Sequence, residues 1–226
     1  MDYSVLEKST LFKGIPAKEL RELLAMVPHH IQCYDKGETI LHLMDDATKI
    51  GIILEGRVEA QKPFPNGVQV NVSIRFPGEL IGPAAVFSTV KKYPCDVVSL
   101  DASTIMIINK EDILKLMQKD IRILENFTNE ISTATYMLQQ RIEMFSYSGI
   151  AQKAAYYLLT QKMTTNKNII NIPESMTKWS MLLNVSRPSL YRELKKLEND
   201  GIIKCNSHSI EIINSDSLED VLSQNK

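Results

Sequence analysis

The sequence predicts an α+β chain in three parts: a β-rich antiparallel unit over residues 1–118, one long helix over 119–148, and a small helical unit closed by a β-hairpin over 149–226. Three observations carry that division. Up to Asn109 the chain consists of short β-prone runs cut by glycine, proline and Asp/Asn turns. From Lys110 the apolar period changes from two to that of a helix. Beyond Gly149, two helices flanking a tight turn precede a last pair of short strands. With 226 residues, 44% of them hydrophobic and 23% charged, the composition excludes collagen-like and extensively disordered classes and allows a packed core.

A short opening helix, Ala17 to Met26, is introduced by Pro16. The strands expected after it are His30 to Tyr34, Thr39 to Leu43, Ile50 to Leu54, Arg57 to Gln61, Val68 to Phe76, Val97 to Ser99 and Thr104 to Asn109. Asp35-Lys36-Gly37, Asp45-Asp46, Glu55-Gly56, Pro65-Asn66-Gly67 and Pro77-Gly78 punctuate them, and Asn66-Gly67 predicts a tight hairpin. Short strands at this spacing form a small antiparallel sandwich or barrel.

A short helix, Glu111 to Gln118, leads into a long one from about Asp120 to about Tyr147, free of proline and glycine and roughly 40 Å long. Its apolar or small residues Leu124, Phe127, Ile131, Ala134 and Leu138 alternate spacings of three and four, then shift to Ile142 and Phe145. Such a narrow stripe fits a partner helix, which predicts a homodimer; packing on the chain's own β-rich unit is the alternative. Ser146-Tyr147-Ser148-Gly149 breaks the pattern, with Gly149 as the expected hinge. A helix from Ile150 to Met163, a polar loop from Thr164 to Lys167 and a strand from Ile169 to Ile172 follow.

The most informative segment is Met176 to Ile203. A helix from Met176 to Leu183 ends at Asn184, a residue that tolerates the left-handed conformation of a tight turn. Ser186 is placed to cap the next helix, Val185 and Leu190 to staple it, and Pro188 lies in its first turn, where the missing N–H does no harm. At about 100° per residue, Leu190, Leu194 and Leu197 share one face. Pro188, Arg192, Lys195 and Asn199 lie opposite, flanked by Tyr191 and Lys196, with Arg187 and Ser189 at the helix start. This is a helix-turn-helix, and Gly201 to Ile213 adds a hairpin that completes a winged helix. A recognition helix enters the major groove of double-stranded DNA by its N-terminal end, where an arginine can grip guanine with two hydrogen bonds. Lys195 and Lys196 suit phosphate, and suit equally a solvated face paired with Glu193 and Glu198.

The net charge of −1 conceals an asymmetry compatible with that reading. Met1 to Ser146 carries 16 basic and 19 acidic residues, whereas Tyr147 to Ile213 carries 9 and 5.

Nearly the whole chain resembles the cyclic AMP receptor protein and fumarate–nitrate regulator (Crp/Fnr) family of bacterial transcription factors. The resemblance is carried by LFKGIPAKELRELL, YDKGETI around Gly37, IILEGRVEA around Gly56, PGELIG over Gly78 to Gly82, and LNVSRPSLYRELKKLENDGII. It implies a β-roll (a cyclic-nucleotide-binding-like double-stranded β-helix), a dimerisation helix and a winged helix-turn-helix. It also implies DNA contact through Arg187, Ser189 and Arg192, with RNA polymerase as a further partner if the protein activates. Pro188 stands where many members carry Glu, so the usual half-site does not transfer.

In cyclic-nucleotide-binding relatives the Gly-Glu-Leu turn holds ribose and phosphate, and a later Arg-Ser/Thr pair neutralises the phosphate. Gly78, Glu79, Leu80, Ile81 and Gly82 are present here, but Tyr93 and Pro94 replace that pair ahead of Cys95 and Asp96. Burying a phosphate without a cation is costly, so cyclic AMP is not the expected effector; Lys91 and Lys92 restore the charge if the register shifts by two. A cyclic-nucleotide-responsive regulator of the same fold is therefore the runner-up. An organic ligand against the long helix near Leu138 and Gln139, or none, remains open, as do a redox role for Cys95 beside an inert one and haem ligation by a histidine.

The three cysteines, odd in number and widely spaced, argue against a disulfide framework and fall short of the about four thiolates of an iron–sulfur site, and His29, His30, His42 and His208 lack zinc-ligand spacing, so no metal and no cofactor are expected. A catalytic β-barrel of the cupin type, the rival from another class, would need such ligands. No signal-like or membrane-spanning segment is recognisable, and the expectation is a cytoplasmic protein.

Overall fold

Antiparallel sheets grow from the β-prone runs of the first half, as expected, and helices from the second. The computed structural model describes residues 4–63, 69–173 and 175–223. Packing separates two units, Met1–Ala134 and Thr135–Lys226, with the boundary inside the long helix.

The first unit runs α1 (Ser4–Glu7), α2 (Ala17–Leu24), β1 (His30–Tyr34), β2 (Thr39–Leu41), β3 (Lys49–Glu55), β4 (Val58–Pro63), β5 (Gln69–Arg75), β6 (Leu80–Ile81), α3 (Pro83–Phe87), β7 (Asp96–Ser99), β8 (Ser103–Asn109) and α4 (Lys110–Lys119), then enters α5 (Ile121–Ser146). One four-stranded sheet has the order β1-β8-β3-β6 and the other β2-β7-β4-β5. All their pairings are antiparallel. β3 is paired on both sides, and Ile50 to Ile53 are buried on both of its faces, which is why this stretch reads as a continuous apolar run. The turn after it needs Gly56: its φ is +80°, and a Cβ would stand 2.6 Å from the Ala102 carbonyl oxygen.

The strand ends lie within a few residues of the expected ones, but β6 and α3 were not anticipated. Two residues carry no periodicity, and α3 is announced only by Pro83 in its first turn. The Asn66-Gly67 hairpin and Val68 lie outside the described residues; β4 and β5 pair on either side of them, with Pro63 opposite Gln69. At the start of α5, the Asp120 carboxylate accepts the Arg122 backbone N–H at 2.9 Å, an N-terminal cap. The Arg122 guanidinium in turn pairs with Asp120 and with Glu19 of α2.

The second unit continues α5 and adds α6 (Ile150–Thr165), β9 (Ile169–Asn171), α7 (Met176–Leu182), α8 (Arg187–Asn199), β10 (Ile203–Cys205), β11 (Ser209–Ile212) and α9 (Ser215–Ser223). The expected hairpin is the β10–β11 pair, and β9 joins β11 to make a three-stranded sheet. The acidic segment after Ile213 is a helix that sequence reasoning missed: Leu218 and Val221 of α9 enter the core with Ala154, Ala155 and Leu158 of α6.

Candidate functional site

Local chemistry builds the α7–turn–α8 motif. Ser175 caps α7, Asn184 takes the left-handed turn conformation at φ +53°, and Ser186 caps α8 by accepting the Ser189 N–H at 3.2 Å. Leu190, Leu194 and Leu197 are buried together with Trp179 and Leu183, and Val185 packs beside them, so the staple and the buried stripe stand as expected.

The opposite face collects the residues predicted to meet DNA. Arg187, Pro188, Tyr191, Arg192, Lys195 and Lys196 are exposed, and Ser189 is half-buried. The Ser186 hydroxyl also donates to Ser189 Oγ at 2.8 Å, and Arg192 Nη2 donates to the same oxygen at 3.2 Å, so Arg192 lies back toward the helix start. Arg187 makes no ion pair among the described residues. The lysines are committed to neighbours: Lys195 pairs with Glu198 and Lys196 with Glu193, each at 2.8 Å. Hydrogen bonding to Lys195 holds the Glu198 carboxyl below its ordinary value, and Glu198 raises that of Lys195. The other Glu198 oxygen accepts the Cys205 backbone N–H at 2.9 Å, which ties β10 to α8.

A cavity of about 270 Å³ opens in the first unit between the β2-β7-β4-β5 sheet, the β6–α3 segment and the first half of α5. Of the residues expected to meet an effector, Leu80, Ile81, Gly82, Tyr93, Pro94 and Cys95 line it, while Gly78, Glu79, Leu138 and Gln139 do not. Glu130, Ile131 and Ala134 represent α5 there instead. Gly82 sits at φ +78° with Tyr93 3.0 Å from where a Cβ would be, so the cavity wall needs glycine at this point. Most of the wall is aliphatic. Its ionisable exceptions besides Tyr93 and Cys95 are Arg75 and Glu130, 3.7 Å apart, which sequence reasoning did not single out.

The polar groups of the expected cassette are engaged elsewhere. Gly78 N–H donates to the Ile53 carbonyl at 2.8 Å and Glu79 N–H to that of Phe76 at 3.0 Å. The Glu79 carboxylate accepts the Phe76 N–H at 2.7 Å and stands 3.7 Å from Arg75. The Tyr93 hydroxyl donates to the Lys49 carbonyl at 2.7 Å, and Asp96 accepts the Leu43 N–H at 2.7 Å. Lys92 pairs with Asp46 at 2.9 Å, and neither it nor Lys91 lines the cavity. Burial, reinforced by Asp96, pushes the Cys95 thiol above its ordinary value, the opposite of an activated thiolate.

The α5 stripe divides. Phe127, 8% exposed, meets Phe87 edge-on with ring centroids 4.9 Å apart, and Ile131 packs on the same core. Leu124 and Ala134 are exposed, and Leu138 (60%), Ile142 (71%) and Phe145 (42%) continue the stripe in the open. Gly149 adopts an ordinary extended conformation, φ −83°, and its N–H donates to the Gln152 side chain at 3.0 Å. Across it, the Tyr156 hydroxyl donates to the Glu143 carboxylate; burial first, then that bond, push the hydroxyl's pKa up to about 12. Among the described residues no cluster of His, Cys, Asp and Glu could hold a metal ion, and no helix is long and apolar enough to cross a membrane.

Comparison with known proteins agrees with this division of labour. Residues 31–120 match the cyclic nucleotide-binding domain and residues 152–221 the Crp-like helix-turn-helix domain, together more than half of the chain. The chain is 21% identical over 220 residues to "Probable transcriptional regulator flp" of Lacticaseibacillus casei, covering 97% of this chain and 99% of that one. It is 19% identical over 216 residues to the cyclic AMP receptor protein of Thermus thermophilus, covering 96% and 98%. The crystal structure of the Thermus thermophilus catabolite activator protein superposes with a TM-score of 0.56 at 19% identity, covering 95% of this chain and 99% of that one. A cyclic-nucleotide-binding-type β-domain joined through a long helix to a Crp-like helix-turn-helix places this chain in the Crp/Fnr family of DNA-binding transcriptional regulators.

Proposed function

We propose that the protein acts in the cytoplasm as a homodimer that reads a pseudo-palindromic DNA site through α8 and is switched by an effector other than cyclic AMP. The observation that carries the DNA reading is the start of α8: a capped helix end presenting Arg187 and Arg192, with Ser189 between them and a buried leucine stripe behind. Arg187 and Arg192 read base edges or phosphate, and Pro188, Ser189 and Tyr191 shape the contact. Lys195 and Lys196 add phosphate attraction by exchanging Glu198 and Glu193 for DNA. The exposed Leu138, Ile142 and Phe145 form the seam between two copies of α5, extended by Leu124 and Ala134. Phe127 and Ile131 support that helix from the protein's own core.

An effector in the β-domain cavity shifts the helix-turn-helix about Gly149, a two-state switch without catalysis, and as an activator the dimer touches RNA polymerase. One relative is named a cyclic AMP receptor protein, but the commitments of Gly78, Glu79, Tyr93 and Asp96 described above leave a cyclic phosphate without its partners. A mobility-shift titration across a salt series tests the DNA reading. Affinity falling steeply between low and moderate salt supports it, and salt-independent or absent binding overturns it.

A further inference from the structure

The β-domain cavity carries its own statement about charge. Arg75, at the end of β5, stands 3.7 Å from Glu130 of α5 and 3.7 Å from Glu79 of the turn before β6. Two carboxylates thus face one guanidinium, and neither contact is as short as a hydrogen bond. An anion entering beside Arg75 would meet a cation already over-neutralised and would give up its hydration without gaining a full counter-charge. A cation gains no net counter-charge either, because Glu79 does not line the cavity and on the wall itself Glu130 is balanced by Arg75. Around this pair the wall is aliphatic, with Val58, Leu80, Val97 and Ile131 among its residues. Apolar surface with a few fixed polar groups is what a small-molecule site presents, and here those groups disfavour net charge.

We infer that this cavity takes an uncharged, predominantly apolar small molecule, and that Glu130 sets the preference by occupying Arg75. The inference builds on the regulatory reading above, giving the chemical class of the effector. It makes Glu130 a specificity residue: Glu130→Gln leaves Arg75 with Glu79 as its one remaining carboxylate and takes the negative charge off the cavity wall, so that an anion is no longer repelled there.

A matched pair of fluorescent probes on the full-length protein separates these cases: N-phenyl-1-naphthylamine, which is uncharged, and 1-anilinonaphthalene-8-sulfonate, the same skeleton with a sulfonate. The wild-type protein should bind the uncharged probe saturably and at least about tenfold more tightly than the sulfonate, since each tenfold corresponds to about 1.4 kcal/mol of charge-burial cost. Filling the cavity by Ala84→Trp, or by Ala60→Leu should the first variant misfold, should abolish that site. Glu130→Gln should move the ratio of the two affinities toward the sulfonate by about tenfold. Equal wild-type affinity for both probes, a ratio unchanged in Glu130→Gln, or binding that survives both filled-cavity variants would overturn the inference. DNA mobility shifts on the same preparations report separately: their loss with intact probe selectivity would sink the DNA reading alone, and their persistence with failed selectivity would sink the ligand class alone.

Discussion

Ser186 holds the start of α8 through two bonds at once, accepting the Ser189 N–H and donating to the Ser189 hydroxyl on which Arg192 rests. Its replacement by alanine should cost about 1 kcal/mol of stability, the usual worth of such a cap, measurable as a shift in the denaturant midpoint. Asp120 acts at the start of α5, where the Arg122 hydrogen bond holds its carboxyl below the ordinary carboxylate value. A carboxyl depressed in the folded state binds its proton more readily when unfolded. Its contribution is therefore present above the ordinary carboxylate range and is lost as the pH falls through the depressed value. Asp120→Asn should accordingly flatten the acid limb of the stability curve while leaving its slope near neutrality unchanged, as followed by urea unfolding at a series of pH values. Both caps were open to sequence reasoning or close to it, because capping is a rule about neighbours: Asn184, Ser186 and Pro188 could be assigned from their order alone. Arg75 could not be singled out, because its significance comes from Glu130, a residue remote in sequence that the fold of the β-domain brings beside it.

At the scale of elements, α5 shows what periodicity specifies and what it leaves open. The spacing identified the helix and its apolar stripe to within a residue of its ends, but a stripe does not say what covers it. The core around Phe87 covers Phe127 and Ile131, while Leu138, Ile142 and Phe145 remain exposed. If these three form the seam of a dimer, Ile142→Glu should place like charges face to face and convert the protein to a monomer. Sedimentation velocity checks this: a wild-type dimer and a monomeric variant of unchanged helicity are expected, and a variant that still dimerises would remove this face from the interface. The α9 helix shows the opposite limitation. Its acidic residues Asp216, Glu219 and Asp220 mask an apolar stripe, although Leu218, Val221 and Leu222 have the three- and four-residue spacing of a helix face that meets α6. The β6–α3 segment escaped because two extended residues and a five-residue helix have no period to detect.

For the whole molecule, the near-zero net charge sums an acidic stretch up to Ser146, a cationic one from Tyr147 to Ile213 and an acidic segment after it. Part of the cationic charge near α8 is already balanced, because Lys195 and Lys196 hold Glu198 and Glu193. Arg187 and Arg192, which have no carboxylate partner among the described residues, are therefore the groups to which the proposed function assigns sequence preference. Selection of bound duplexes from a random pool, with the wild-type protein and with Arg187→Ala and Arg192→Ala, measures this most directly. The wild-type dimer should enrich an inverted repeat whose half-sites lie about one helical turn apart, and each variant should lose about 1–3 kcal/mol per base contact and relax the preference at matching positions in both half-sites. A pool without any enriched sequence, or wild-type affinity and preference in both variants, would contradict the assignment of α8 as the DNA-reading helix.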